Sequence, residues 1–193
     1  MKDIKLGLAI CGSFCTLHKC VDIAGSLVEK GYSVQPILSF NVAKLDTRFY
    51  DAKTFREEIE KVTGREVIDT IEGAEPIGPK RMFDVLLVLP CTGNTLAKLA
   101  HGITDTPVTM AVKSHMRGNM PVVIALSTND GLGASYENIG RLMNMKNFYF
   151  VPYEQDDSLN KPKSLVFRKD KVNAALDNAL IGKQVELIPR TNS

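Results

Sequence analysis

Four short, almost continuous apolar runs set the terms for this chain, and each runs into a small polar cluster or a proline. Lys5-Leu-Gly-Leu-Ala-Ile-Cys11 stops at Gly12-Ser13, and Asp84-Val-Leu-Leu-Val-Leu89 stops at Pro90-Cys-Thr-Gly-Asn-Thr95. Pro121-Val-Val-Ile-Ala-Leu126 stops at Ser127-Thr-Asn-Asp-Gly131, and Asn147-Phe-Tyr-Phe-Val-Pro152 closes the set. Short apolar runs without alternation suit strands buried on both faces, as in a parallel sheet. Parallel neighbours need long crossovers, and helical patterns lie between the runs. Leu17, Cys20, Val21, Ala24, Leu27 and Val28 share one helical face, which Gly31 ends; Tyr32-Ser-Val-Gln-Pro-Ile-Leu38 then reads as a second strand. Further helices are expected over Asp51 to Val62 (stopped by Gly64), Leu96 to His101, Pro107 to Met116, Tyr136 to Met145, and Asp170 to Leu180 (stopped by Gly182). Glu66 to Ile71 is expected as a short strand and residues 72–80 as a loop.

The alternation predicts an α/β protein: a doubly wound, mainly parallel sheet with helices on both faces and right-handed crossovers. Residues 1–152 hold that core. Residues 153–193 are expected as an extension of the same domain, polar to Lys163, then helical, and frayed from Pro189. With 44% hydrophobic and 24% charged residues, a wholly disordered chain is excluded. A net charge of +2 provides no global field for nucleic acid or anionic lipid. No apolar run nears the roughly 20 residues of a membrane span, and the first one is too short for a signal peptide, so a cytoplasmic protein is expected. Cys11, Cys15 and Cys20 crowd a strand-to-helix junction and, with Cys91, fit neither a disulfide framework nor a zinc site; no metal is expected. Cys11, Cys15 and Cys91 read as small buried hydrophobes.

In open parallel sheets, ligands bind beyond the carboxyl ends of the strands. That rim collects Gly12 and Ser13, Ser39 and Asn41, Thr92 to Thr95, and Ser127 to Asp130. A Gly-Ser turn opening a helix offers backbone N–H groups and a dipole to a phosphate; it is also an ordinary turn with a serine N-cap. Thr92-Gly-Asn-Thr95 suits either an N-cap or an amide cradle for a planar heterocycle. Neither G-x-G-x-x-G nor a P-loop occurs. His18, His101 and His115 are expected on the surface. Asp105 is expected to cap the helix at Pro107, and Lys161 to Lys171 to be a solvated face. Met110, Met143 and Met145 are expected to fill the core at helical spacing.

Gly12-Ser13, Pro90-Cys-Thr-Gly-Asn-Thr95 and Leu96-Ala-Lys-Leu-Ala100 with Gly102-Ile-Thr-Asp105 together resemble the homo-oligomeric flavin-containing cysteine decarboxylase family, across roughly residues 5 to 152. The family's proline-x-serine-alanine-asparagine-threonine motif is met at Pro90, Asn94 and Thr95, with Thr92 and Gly93 replacing serine and alanine. The resemblance implies a Rossmann- or flavodoxin-like three-layer sandwich that binds FMN as a trimer or larger homo-oligomer. It places Gly12, Ser13 and Ser39 on the phosphate and Thr92, Asn94 and Thr95 along the isoalloxazine. Phe14, Asn41 and Gly93 complete the cofactor contacts. Asn129 lies on the substrate side and is the candidate catalytic residue. The chain departs from the family at Pro76, where the decarboxylases carry a catalytic histidine. It departs again at Leu126-Ser-Thr-Asn129, where only the asparagine of a second motif survives, and after Pro152, where no cysteine occurs. Cysteine decarboxylation is therefore not expected. The branch most like this chain implies one component of a two-component oxidoreductase. It makes an aromatic pyridine dicarboxylate from a cyclic dihydro or hydroxytetrahydro precursor in a sporulating cell, beside a nicotinamide-dependent component that uses NADP. A non-redox scaffold and a flavin-dependent decarboxylase are the alternatives. Lys113, Arg117 and Arg141 are the nearest cations in sequence for the small dicarboxylate.

Overall fold

A computed structural model of the chain describes residues 4–13 and 16–188. The expectations for Phe14, Cys15 and Pro189 to Ser193 fall outside the described residues. The apolar runs become β1 (Ile4–Ile10), β3 (Val85–Cys91), β4 (Val122–Thr128) and β5 (Phe148–Phe150), with β2 (Tyr32–Leu38) beside β1. They are parallel in the order β2-β1-β3-β4-β5. The winding reverses between β1 and β3, and a crevice opens at such a point.

Two cores lie on the two sheet faces. One holds side chains from α1 (Leu17–Glu29), α2 (Phe40–Lys44), α3 (Ala52–Thr63) and α8 (Val172–Leu180). The other holds side chains from α4 (Ile71–Ala74), α5 (Gly93–Ala100), α6 (Pro107–Met116) and α7 (Ser135–Met143). Because both faces are covered, all seven residues of β3 are buried, which is why that run needs no polar alternation. No helix among the described residues is long and apolar enough to cross a membrane.

Several expectations are corrected. The strand expected at Glu66 to Ile71 is a single bridge, Ile68 to Ile37. Thr70 instead caps α4, accepting from the Gly73 N–H at 3.0 Å. The expected loop 72–80 carries α4 and a 3-10 turn, Glu75–Ile77, held on α6 where the Gly78 N–H donates to Ser114 Oγ at 2.8 Å. β3 continues through Pro90 and Cys91, with a register shift against β4 between Val88 and Cys91. Asp105 does not cap α6. Thr106 does, in a reciprocal arrangement with Thr109, while Asp105 pairs with Lys98 Nζ at 2.8 Å. His115 is 2% exposed and its Nε2 lies 3.1 Å from the Pro121 carbonyl oxygen. Met143 and Met145 are exposed, not core. The polar stretch after Pro152 contains an antiparallel hairpin, β6 (Tyr153–Glu154) and β7 (Leu165–Phe167). β7 pairs with the end of β4, Ser127 to Val166 and Thr128 to Leu165. Its three-residue apolar run is too short to stand out in sequence.

Candidate functional site

A cavity of about 980 Å³ opens at the carboxyl ends of β1, β3 and β4. Gly12 and Ser13 reach it from β1, Thr92, Gly93 and Asn94 from β3, and Ser127 to Asp130 from β4. Each strand ends where its apolar run gives way to small polar residues, so the fold presents these tips on one rim. Of the residues expected to bind a cofactor, Ser39, Asn41 and Thr95 do not line the cavity. Ser39 starts α2 with its N–H on the Ile10 carbonyl at 3.0 Å. Its hydroxyl is buried with no hydrogen-bond partner. Asn41 is exposed on α2. Thr95 is buried; its N–H donates to Thr92 Oγ1 and its hydroxyl accepts from the Thr92 hydroxyl, so Thr92 is the N-cap of α5.

The turn after β1 differs from a serine-capped helix start. α1 begins at Leu17 behind Thr16, whose hydroxyl donates to the Ser13 carbonyl at 2.7 Å. Ser13 Oγ instead lies 2.9 Å from Ser127 Oγ, tying the β1 tip to the β4 tip. Gly93 faces the same seam. A Cβ there would stand 2.7 Å from Ser135 Oγ and from Thr128 Oγ1 and 3.0 Å from Asp130 Oδ1. Asp130 Oδ1 accepts from the Thr128 hydroxyl and, at 2.7 Å, from the Ser135 hydroxyl. Those two bonds hold its carboxyl below the usual range, so a fixed anion lies in the wall.

Behind this rim the thiols are inert. Burial pushes Cys11 up to about 11 and raises Cys20 and Cys91 as well. All three are free and buried, in keeping with the hydrophobe reading for Cys11 and Cys91. His18 and His101 are exposed.

The cations in the cavity lining are Lys19, Arg48 and Lys161. The three expected ones lie elsewhere: Lys113 and Arg117 border an apolar groove with Ile103 and Met145, and Arg141 Nη1 meets His101 Nδ1 at 3.4 Å. Arg48 and Lys161 sit in loops whose approach to the rim depends on tertiary folding. Their only local signal was position: Arg48 follows the β2 tip, and Lys161 precedes the short Leu165-Val-Phe167 run. Among the described residues, no group of three or more His, Cys, Asp or Glu side chains is placed to hold a metal.

A sheet wound in this order, with hydroxyls, amides and backbone N–H groups gathered at its switch point, is the construction of mononucleotide-binding α/β proteins. The chain belongs to the flavoprotein family, whose model matches residues 1–177. It is 41% identical over 188 residues to the B subunit of dipicolinate synthase from Bacillus subtilis, covering 97% of this chain and 94% of that protein. The crystal structure of the corresponding B subunit from Bacillus halodurans superimposes with a TM-score of 0.87 at 38% identity, covering 95% of this chain and 94% of that one. The FMN-dependent cysteine decarboxylase SpaF shares the fold, with a TM-score of 0.71 at 23% identity over 92% of this chain and 95% of its own.

Proposed function

We propose that the chain is the flavin-type component of a dipicolinate synthase. It works with the enzyme's A subunit, a dehydrogenase that holds NADP, in the cytoplasm of a sporulating cell. Together they convert dihydro- or hydroxytetrahydrodipicolinate to pyridine-2,6-dicarboxylate. The observation that carries this is the meeting of Gly12, Ser13, Thr92, Gly93, Asn94 and Asn129 around one cavity, in a chain so similar to the B subunit of a dipicolinate synthase.

The residues suit FMN. The buried Ser39 hydroxyl lacks a partner and stands at the tip of β2, next to β1, behind the cavity lining, so a phosphate oxygen would satisfy it only if the turn after β1 gave way. Gly12 and Ser13 add hydroxyl and backbone donors, and Lys19 adds charge. Gly93 leaves room that a Cβ would fill. Thr92 and Asn94 offer polar groups to a heterocycle, and Asn129 lies on the substrate side. Bound there, FMN supplies a hydride acceptor for a ring whose aromatisation favours the forward direction. Asp130, kept ionised by Thr128 and Ser135, gives the wall a fixed acceptor. Oligomerisation, trimeric or larger, is part of this reading; Ile103, Met143 and Met145 leave apolar surface uncovered.

One observation favours a second reading. The cavity's titratable residues are Lys19, Arg48, Asp130, Asp156 and Lys161, with neither histidine nor cysteine among them. A scaffold that shapes the site of the dehydrogenase, without redox chemistry of its own, needs no more.

Titration with FMN tests the main reading. Binding should change the flavin's visible absorbance and, at about 100 times Kd, raise the melting temperature by about 5–10 °C. Absence of both effects excludes the flavin. Asn94→Trp should then abolish dipicolinate output in a reconstituted two-component assay; full output from the dehydrogenase with this variant supports the scaffold.

A further inference from the structure

The cavity has a cationic lip to which the cofactor assigns no role. Arg48 and Phe49 stand on it, in the stretch between α2 and α3. Phe49 is 50% exposed, and the Arg48 guanidinium carbon lies 4.7 Å from the centre of its ring. The turn is closed from both sides of Arg48. Thr47 Oγ1 accepts from the Phe49 and Tyr50 N–H groups, both at 3.2 Å, and the Thr47 N–H donates to the Tyr50 carbonyl at 2.9 Å.

The other charges nearby are differently placed. Lys161 pairs with Asp156 at 3.2 Å, and Asp130 is held by its two hydroxyls. Lys19 rises from the first turn of α1, on the side of Gly12 and Ser13. No carboxylate of the described residues forms an ion pair with Arg48. A guanidinium takes a carboxylate on two parallel N–H bonds, which an ammonium cannot do. An exposed aromatic ring beside it adds a stacking face for a planar ligand.

We propose that Arg48, steadied by Phe49, is the specificity-determining residue that receives a carboxylate of the pyridine dicarboxylate. This rests on the dipicolinate reading and assigns its anion-recognition residue within this chain. The full-length protein loaded with FMN is titrated calorimetrically with pyridine-2,6-dicarboxylate in metal-free buffer, and FMN affinity is measured separately. Arg48→Gln should weaken dicarboxylate binding about tenfold or more with FMN affinity unchanged, and Arg48→Lys should recover only part of the loss. Lys113→Gln, outside the cavity, should change neither. Equal dicarboxylate affinity in Arg48→Gln and the parent overturns the proposal, and so does a parallel loss of FMN affinity, which would give Arg48 to the cofactor. An FMN-loaded parent that ignores the dicarboxylate overturns it as well. If the parent binds no FMN, the flavin reading alone fails, and the same comparison on the cofactor-free protein still decides Arg48.

Discussion

Gly93 occupies a point where three polar side chains converge, and the smallest substitution probes it. Gly93→Ala sets a methyl group 2.7 Å from two hydroxyls. The Thr128-Asp130-Ser135 cluster must then open. A stability loss of about 1–3 kcal/mol is expected, measured by urea unfolding, with a loss of FMN affinity. His115 gives a pH test. Burial pushes its imidazole down to about 4 from the ordinary 6.5, against the opposing pull of the Pro121 carbonyl and Asp84. The folded state therefore refuses a proton that the unfolded chain accepts as pH falls below 6.5. Stability should decline across that window by up to about 3 kcal/mol, with the loss complete near the folded value. The urea midpoint should fall more steeply between these pH values in the parent than in His115→Asn. Neither role was open to sequence reasoning. His115 lies in a helix turn of mixed polarity, and only the packing of α6 against Phe83 and Pro121 encloses it. Gly12, Ser13 and Thr92 were legible because each follows an apolar run that had to be a buried strand.

Among the elements, β5 borders the sheet with an unusual partner. The Phe150 N–H donates to Gln184 Oε1 and Gln184 Nε2 donates to the Phe150 carbonyl, both at 2.8 Å. A side-chain amide thus repeats the bonding of a neighbouring strand and closes an edge that would otherwise invite pairing. Gln184→Ala should cost about 1–2 kcal/mol and speed hydrogen exchange at the Phe150 amide. Exchange unchanged from the parent would count against that plug. The long helices were readable from spacing and stops: α1 ahead of Gly31, α3 ahead of Gly64, α6 from Pro107. α2 and the β6–β7 hairpin were not. α2 is five residues long, and β7 is fixed by pairing with Ser127 and Thr128, a contact made across the fold.

At the scale of the whole molecule, strand alternation alone implied the doubly wound sheet, and the resemblance of a few motifs agreed with the family. The cations at the cavity remained hidden, because loop charges carry no periodic signal of which way they face. Exposed Ile103, Met143 and Met145 bear on assembly. Sedimentation should find a mass that is a multiple of 21.3 kDa; a lone 21.3 kDa species at working concentration would remove the homo-oligomer from the proposed function. The hairpin also sets an order of events. Lys161, Ser164, Leu165 and Val166 complete the lining of a cavity that starts, along the chain, at Gly12. A ribosome-bound chain has made the first part of that lining long before the last, so the complete cavity exists only after translation has passed the hairpin. A nascent chain stalled before residue 160 should retain ligand less well than the finished chain.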